Sequence, residues 1–363
     1  MAKSLLFLPD ISGYTKFIQT TEVEHSQHVI SELLEILISA NMEDLKLAEI
    51  EGDALFFYKE GEIPSQERLL AQIESMFTAF HGHLELLRKN RICPCNACAT
   101  APNLELKIIA HAGELQHIEV QGARKPFGPQ VIEAHRLLKN SVDSSNYVLI
   151  SRALALEIQL SQYYSSKIFR FRKSSDTYDE QEVEYLYSLV DNDQLQLPEV
   201  PGVKMVQFNR PPNLTASKVF YENAAIVMEY FTNYSIRGEW AQGVDRFEYK
   251  KNEVTRLGTE HCCVVNGKNL NFVAVTKSVE SNQSVYGELT TDPKPFDQLY
   301  QFFIVTPISK DSCQLDLELY WEAKSPLKKL IVFLVAKRLF KKSLNNALEN
   351  LYDYVELRKG KTS

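Results

Sequence analysis

The chain has 363 residues, of which 44% are apolar and 24% are charged, a balance that excludes a disordered or fibrous protein. It carries 40 lysines and arginines against 47 aspartates and glutamates, so it lacks the basic character of a general nucleic-acid binder. The apolar run Leu5–Leu8 is too short for a signal-peptide core, and we expect a cytoplasmic protein. Its longest apolar run, LIVFLVA, falls far below the roughly 20 residues of a membrane span.

A polar, proline-bearing segment interrupts the chain after about 190 residues and offers no periodic apolar face. This composition is typical of a linker between domains. We therefore predict two domains, residues 1–192 and 210–363, joined by a linker at 193–209.

The first domain alternates between strand-like and helix-like segments, beginning with a short apolar strand at Leu5–Pro9. Two predicted hairpins pair residues 45–50 with 54–58 and residues 104–111 with 117–120. The remaining predicted elements are helices at 22–40, 67–90 and 129–139 and strands at 147–150 and 184–190. This order predicts a ferredoxin-like core.

The second domain has a different order, in which closely spaced strands follow a short helix at 224–234. Apolar and polar residues alternate through Gln314–Leu319, which indicates a strand with one dry face. The predicted strands are 261–265, 270–280, 284–290, 300–308 and 314–322. A long amphipathic helix from Pro326 to Arg358 closes the chain, so both domains belong to the α+β class.

Two aspartates are candidate metal ligands. Asp10 ends the first apolar strand, and Asp53 lies at the tip of the first hairpin. If that hairpin pairs beside the first strand, the two carboxylates converge and suit a hard divalent cation. Strand alternation also puts Glu49 and Glu51 on the side of Asp53. In the alternative reading, Asp10 caps a helix and Asp53 forms a turn.

Three ordered segments resemble the metal and transition-state motifs of the class III nucleotidyl cyclase catalytic domain. They are Asp10-Ile-Ser-Gly-Tyr-Thr15, Gly52-Asp-Ala54 and the ten residues from Gly128 to Leu137. The resemblance covers about residues 4–190. It implies a cyclase-type fold that binds a nucleoside triphosphate with two divalent cations, Mg²⁺ or Mn²⁺.

The same resemblance implies roles for individual residues. Asp10 and Asp53 correspond to the metal ligands, and Arg136 corresponds to the catalytic arginine. In the family, the aspartates and the arginine of one site come from different subunits, so the resemblance implies a homodimer. The implied nucleotide-binding residues are Ile11, Gly13, Tyr14, Thr15, Glu49 and Lys125.

The sequence also departs from the family pattern. Ile132 replaces the asparagine that, with the arginine, steadies the transition state, and isoleucine offers no hydrogen bond. Glu49 and Lys125 match neither standard pair for purine recognition, and Lys173 is a weak match for the phosphate-binding lysine. We therefore expect weak or absent cyclase turnover. The alternative is a non-catalytic sensor or scaffold that only binds nucleotide or dimerises.

Cys93, Cys95 and Cys98 form a second candidate metal site. Three thiols within six residues suit thiolate coordination, and a structural zinc ion would need a fourth ligand. The candidates for that ligand are His81, His83 and His111. The alternative is three reduced cysteines in a loop.

The second domain resembles the START and plant-pollen-allergen-like (SRPBCC) ligand-binding superfamily over about residues 210–358. That resemblance implies a helix-grip fold and a cavity for an apolar small molecule or lipid, while the alternative is a filled core. The closing helix also carries a run of lysines around its apolar segment, which could contact an anionic membrane. We favour the interpretation that these lysines form its solvent-facing side. Together, the two domains suggest a signalling protein that couples nucleotide and small-molecule binding.

Overall fold

The computed structural model describes the chain except residues 1, 22, 201–204, 251–253, 292, 294, 333–336 and 363. The chain divides into two compact units. The first comprises Met1–Leu86 and Thr100–Val200, and the second comprises Leu87–Ala99 and Pro201–Ser363. The predicted α+β class is confirmed, because helices accompany a mixed sheet in the first unit and an almost wholly antiparallel sheet in the second.

The chain up to residue 200 contains the following elements. Its strands are β1 (Ser4–Ser12), β2 (Lys46–Glu51), β3 (Ala54–Lys59), β4 (Glu105–Gly113), β5 (Gln116–Val120), β6 (Ala123–Phe127), β7 (Tyr147–Ser151), β8 (Arg172–Tyr178) and β9 (Gln181–Leu189). Its helices are α1 (Tyr14–Thr20), α2 (Val23–Ser39), α3 (Gln66–Asn90), α4 (Asn96–Thr100), α5 (Pro129–Arg136) and α6 (Arg152–Glu157).

Seven of these strands form one sheet in the order β2-β3-β1-β4-β7-β9-β8. The β4–β7 pair is parallel and the other neighbouring pairs are antiparallel. β1 lies inside the sheet, and its residues Leu5–Leu8 are buried, as expected for a strand whose sequence is apolar without alternation. β1 therefore has a neighbouring strand on each side, so Asp10 lies within the sheet and not at its edge.

One predicted hairpin is wrong. Residues 104–111 do not pair with 117–120, because β4 pairs with β1 and β7. β5 instead forms a separate two-stranded hairpin with β6. The turn between them contains Gln121 and Gly122, both with positive φ, which is the conformation that a two-residue hairpin turn requires.

The second unit is built mainly from strands. They are β10 (Met205–Val206), β11 (Leu214–Phe220), β12 (Arg246–Glu248), β13 (Glu260–Val265), β14 (Lys268–Lys277), β15 (Ser284–Thr291), β16 (Gln298–Ser309) and β17 (Ser312–Glu322). The helices are α7 (Ala224–Thr232), α8 (Tyr234–Trp240), α9 (Pro326–Ile331) and α10 (Lys337–Thr362). The predicted closing helix thus corresponds to α9 and α10, and the end of its LIVFLVA run lies outside the described residues.

These strands form an antiparallel sheet in the order β11-β17-β16-β15-β14-β13-β12, with β10 added in parallel to β14. Met205 and Val206 of the predicted linker therefore belong to this sheet. Alternate residues of β17 are buried, which confirms the alternation read from the sequence. One side of α10 is buried in the apolar core that it shares with this sheet, whereas the basic residues Lys341 and Lys342 are exposed. The buried side consists of Leu344, Leu348, Leu351 and Val355.

None of the helices formed by the described residues combines the length and the apolar character that a bilayer crossing demands.

The close packing around Gly287 in the second sheet predicts that this position does not tolerate a larger side chain. A Cβ on Gly287 would lie 2.5 Å from the Phe302 ring and 2.9 Å from the Val275 carbonyl oxygen, and Phe302 is fully buried. We expect Gly287→Ala to lower the free energy of unfolding by about 1–3 kcal/mol. Gly238→Ala, at an exposed position of α8 with its nearest contact at 3.8 Å, should leave stability unchanged or raise it. Urea unfolding of both variants measures this, and equal midpoints would contradict the packing argument.

Candidate metal and nucleotide site

Strand pairing brings Asp10 and Asp53 to one place in the first unit. β1 and β3 pair with Asp10 opposite Ala54, so the tip of the β2–β3 hairpin lies beside the end of β1. The Ile11 amide donates a hydrogen bond to the Asp53 carbonyl oxygen at 3.1 Å. Both aspartates line an open cavity of about 500 Å³.

Ionisation of the two carboxylates is electrostatically unfavourable in this cavity. Burial raises the pKa of Asp10, and the nearby Lys107 only partly opposes that rise. Burial and then the charge of Asp10 raise the pKa of Asp53. A divalent cation would relieve both the burial of charge and the repulsion, so this pair fits such a cation chemically.

Lys107 is a member of this site that the sequence did not reveal. It lies opposite Asp10 in the β1–β4 register, and its Nζ is 3.5 Å from Asp10 Oδ1. The same Nζ donates to the Leu138 carbonyl oxygen at 3.3 Å. The only signal was a single lysine within the otherwise apolar segment Leu106–Ala110, which does not say which strand lies next to it.

The loop after β1 forms the adjoining wall of the cavity. Gly13 has φ of +89°, a conformation that favours glycine, and it begins α1 by accepting a hydrogen bond from the Phe17 amide at 3.0 Å. Tyr14 and Thr15 follow it and line the cavity. Ile11 also contributes to the lining, although its side chain is buried in the core.

Glu49 and Lys125 form an ion pair with each other and do not line this cavity. The hydrogen bond from Lys125 holds the pKa of Glu49 below its usual value. The irregularity of β2 lies between Leu47 and Glu49, and residues 49–51 beyond it pair regularly with β3. Glu51 lies 3.1 Å from His135 Nε2.

The transition-state positions lie on α5 and do not line the cavity of their own chain. Ile132 is 54% exposed. Arg136 forms an ion pair with Asp179, and Lys173 pairs with Glu184.

The three predicted metal-binding cysteines are buried and belong to one cluster. The Sγ atoms of Cys93, Cys95 and Cys98 all lie within 4.8 Å of one another. Side-chain hydrogen bonds with Cys93 and Cys95, together with burial, raise the pKa of Cys98. This cluster is compatible with a zinc site.

The three histidines that the sequence offered as candidates for a fourth zinc ligand are each hydrogen-bonded to other residues. His81 Nε2 lies 3.0 Å from Asn146 Oδ1, and His83 Nε2 lies 2.7 Å from Glu32 Oε2. His111 contacts Ser151 and Gln130.

The second unit contains its own cavity of about 410 Å³, lined by α8, α10 and strands of the sheet. Trp240, Phe272, Phe303 and Leu319 supply apolar walls. One wall holds a buried ion pair that the sequence did not reveal. The Arg237 guanidinium donates to both carboxylate oxygens of Glu288, and this attraction outweighs burial to keep the pKa of Glu288 below its usual value.

The chain is similar to solved adenylyl and guanylyl cyclase domains. The adenylyl cyclase CyaB from P. aeruginosa is 18% identical, with a TM-score of 0.39 over 52% of this chain and 94% of that one. The guanylate cyclase domain of RhGC from Catenaria anguillulae, solved in complex with GTP, is 13% identical. Its TM-score is 0.38, over 52% of this chain and 97% of that one.

Residues 30–147 match a family described as a protein of unknown function, DUF2652. The uncharacterized protein Rv2561/Rv2562 of Mycobacterium tuberculosis is 34% identical over 126 residues. The matched region covers 35% of this chain and 58% of that protein, so the chain spans little more than half of this curated relative.

The electrostatics of the first cavity predict opposite effects of two substitutions on Asp53. Asp10→Asn removes the negative charge that raises the pKa of Asp53, so that pKa should fall. Lys107→Met removes a charge that lowers the same pKa, so it should rise. Carbon-detected NMR titration of the Asp53 carboxyl in metal-free buffer measures both. Shifts of the same sign in the two variants would contradict the geometry.

Proposed function

We propose that the first unit binds a nucleoside triphosphate together with two divalent cations, Mg²⁺ or Mn²⁺, held by Asp10 and Asp53. One observation carries this proposal: two partly buried carboxylates, one raising the pKa of the other, line a single open cavity. The cations would offset the charge of the triphosphate and lower the pKa of its 3′-hydroxyl. Lys107 lies within reach of the same charges.

The motifs suggest how the nucleotide is held. Backbone and side-chain groups of Ile11, Gly13, Tyr14 and Thr15 would contact the phosphates and cations, and their lining of the cavity supports this role. Glu49 and Lys125 would meet the base. Since they pair with each other, a base that enters must exchange hydrogen bonds with both.

Arg136 acts in a head-to-tail homodimer in this proposal. Arg136 is not among the residues that line its own chain's cavity, which supports the idea that it serves a partner's site. A dimer would also cover part of the exposed apolar surface around Ile132. Sedimentation velocity with and without triphosphate measures the association.

The second candidate function is a non-catalytic sensor or scaffold, and Ile132 favours it. Loss of one transition-state hydrogen-bond donor typically lowers the rate by about 10²–10³-fold. The nucleotide would then be a bound signal in a cytoplasmic signalling protein. Either function leaves the metal and nucleotide site unchanged.

The second unit supplies the other half of the proposal. We propose that it is a helix-grip domain of the START/SRPBCC type that binds an apolar small molecule or lipid. The apolar walls of its cavity, with α10 packed in the core of the sheet, support this assignment. Binding there would be coupled to the nucleotide site.

The first prediction of the proposal concerns metal-dependent nucleotide binding. Asp10→Asn and Asp53→Asn should each weaken Mn²⁺-dependent binding of a non-hydrolysable GTP or ATP analogue at least about tenfold, the loss typical even of groups that only support a metal ligand. Calorimetric titration measures the affinity. Glu60→Gln is the matched control, because Glu60 is an acidic residue outside the cavity that pairs with Arg124.

Turnover assays separate the two candidate functions. Weak cyclic nucleotide formation that rises in Ile132→Asn supports a cyclase. Binding without product in both proteins supports the sensor. Analogue binding that survives both aspartate substitutions, or that needs no divalent cation, would reject the site itself.

The second prediction concerns the cavity of the second unit. Wild-type protein should bind the neutral apolar dye N-phenyl-1-naphthylamine, and Ala347→Phe should abolish binding because its ring would occupy the cavity that Ala347 lines. Asn345→Phe adds the same ring at an exposed position of α10 that does not line the cavity, and it is the control. Dye emission is the readout. Unchanged binding in Ala347→Phe would show that the dye binds elsewhere, and no binding by the wild type would favour a filled core.

A further inference from the structure

The buried ion pair in the second unit leaves part of its arginine without a hydrogen-bond partner. Nη1 and Nη2 of Arg237 donate to the two carboxylate oxygens of Glu288. The Nε atom of the same guanidinium is buried, and no acceptor reaches it among the residues that the structure describes. Burying an unpartnered donor of a charged group costs stability. Because both residues line the cavity of the second unit, a ligand with an acceptor would remove that cost.

The carboxylate of the pair already has its hydrogen bonds. Besides the two bonds from Arg237, Glu288 Oε1 accepts a hydrogen bond from the Tyr286 hydroxyl at 2.8 Å. The Tyr286 hydroxyl lies 2.8 Å from the Tyr234 hydroxyl, so the two tyrosines form a chain that ends on Glu288. Glu288 thus accepts three bonds, while Arg237 keeps an unused N–H group. This part of the wall therefore needs an acceptor and not a donor.

Packing holds the guanidinium in place. Only 7% of Arg237 is exposed, and its Cζ atom lies 5.3 Å from the centre of the Phe303 ring and 5.6 Å from the centre of the Phe247 ring. Both rings line the same cavity, and aromatic rings attract a guanidinium. The donor is therefore fixed before a ligand arrives, which reduces the conformational entropy lost on binding.

The charges around the pair favour an uncharged ligand. Arg237 and Glu288 neutralise each other, so a carboxylate placed beside them would add a buried negative charge without a partner. His261 Nε2 lies 3.3 Å from Glu288 Oε1, but burial lowers the pKa of His261 to about 4, and this residue is neutral near neutral pH. Lys342 also lines the cavity, but it is exposed on α10. A ketone, ester or ether oxygen would accept from Arg237 without adding charge.

We propose that the cavity of the second unit binds an uncharged, mainly apolar molecule with an acceptor oxygen that receives a hydrogen bond from Arg237. This inference rests on the proposed function of the second unit as a domain that binds an apolar molecule, and it specifies the chemical class of that molecule. Arg237 is then a specificity-determining residue, and Glu288 is the group that positions it. The apolar walls of the cavity hold the rest of the ligand.

Displacement of N-phenyl-1-naphthylamine by two probes of equal ring size tests the proposal. Tetralin is a hydrocarbon, and 1-tetralone adds a ketone oxygen to the same rings. In Arg237→Met/Glu288→Met, which removes both charges together, the affinity for 1-tetralone relative to tetralin should fall at least about tenfold, as expected for the loss of a hydrogen bond to a charged group. Lys277→Met/Glu318→Met is the matched control, because it removes an ion pair of the same sheet that does not line the cavity. It should keep the wild-type ratio.

A measurement on the wild type keeps the test decisive if the double variant fails to fold. The infrared carbonyl stretch of isotope-labelled 1-tetralone should lie at lower frequency in the protein than in hydrocarbon solvent, because a hydrogen bond weakens the C=O bond.

Three results would overturn this inference while leaving apolar binding intact. They are an equal probe ratio in wild type and double variant, a carbonyl stretch at its hydrocarbon value, and tighter binding of tetralin-1-carboxylate than of 1-tetralone. If the wild type binds neither the dye nor any probe, the proposed function of the second unit is rejected, and this inference is rejected with it.

Discussion

Repulsion between two like-charged carboxylates in one cavity is the constraint on which the candidate site of the first unit depends. The raised pKa values of Asp10 and Asp53 mean that the folded protein holds these protons more tightly than the unfolded chain does. The ionised pair therefore costs stability above the folded pKa values, and this cost disappears as the pH falls below them. Groups kept at such a cost are candidates for function, since a bound cation removes it.

Backbone pairing holds the two groups against that repulsion. β1 is paired on both sides, by β3 and by β4, and the hydrogen bond from Ile11 to Asp53 ties the hairpin tip to the strand end. The same register sets Lys107 beside Asp10. A shift of one residue in the pairing of β3 or β4 with β1 would turn these side chains to the other face of the sheet and disrupt the site.

The sequence predicted the parts of this protein that depend on short-range pattern. Asp10 and Asp53 stood out because a strand end and a hairpin tip leave local signals, and the alternation in β17 gave the buried face of the second sheet. Lys107 did not stand out, because its importance comes from pairing with a strand almost 100 residues away. The β5–β6 hairpin was missed because Pro126 and the charged Arg124 and Lys125 disguise its second strand.

Long-range chemistry in the second unit was equally hidden. Arg237 lies on a helix and Glu288 on a strand, and each reads as a surface residue in its own segment, yet the two are buried together beside the cavity. Removing either partner alone would leave an uncompensated buried charge, so the pair must change together or not at all. Any other strand register that separated these two charges would leave each of them buried without its partner.

The distribution of aromatic residues gives each unit its own optical signature. The chain has two tryptophans, and both Trp240 and Trp321 are buried in the second unit. The first unit carries tyrosines and phenylalanines in their place. Indole emission during denaturation therefore follows the second unit alone, whereas far-ultraviolet dichroism follows both units, and any separation of the two curves measures how independently the units melt.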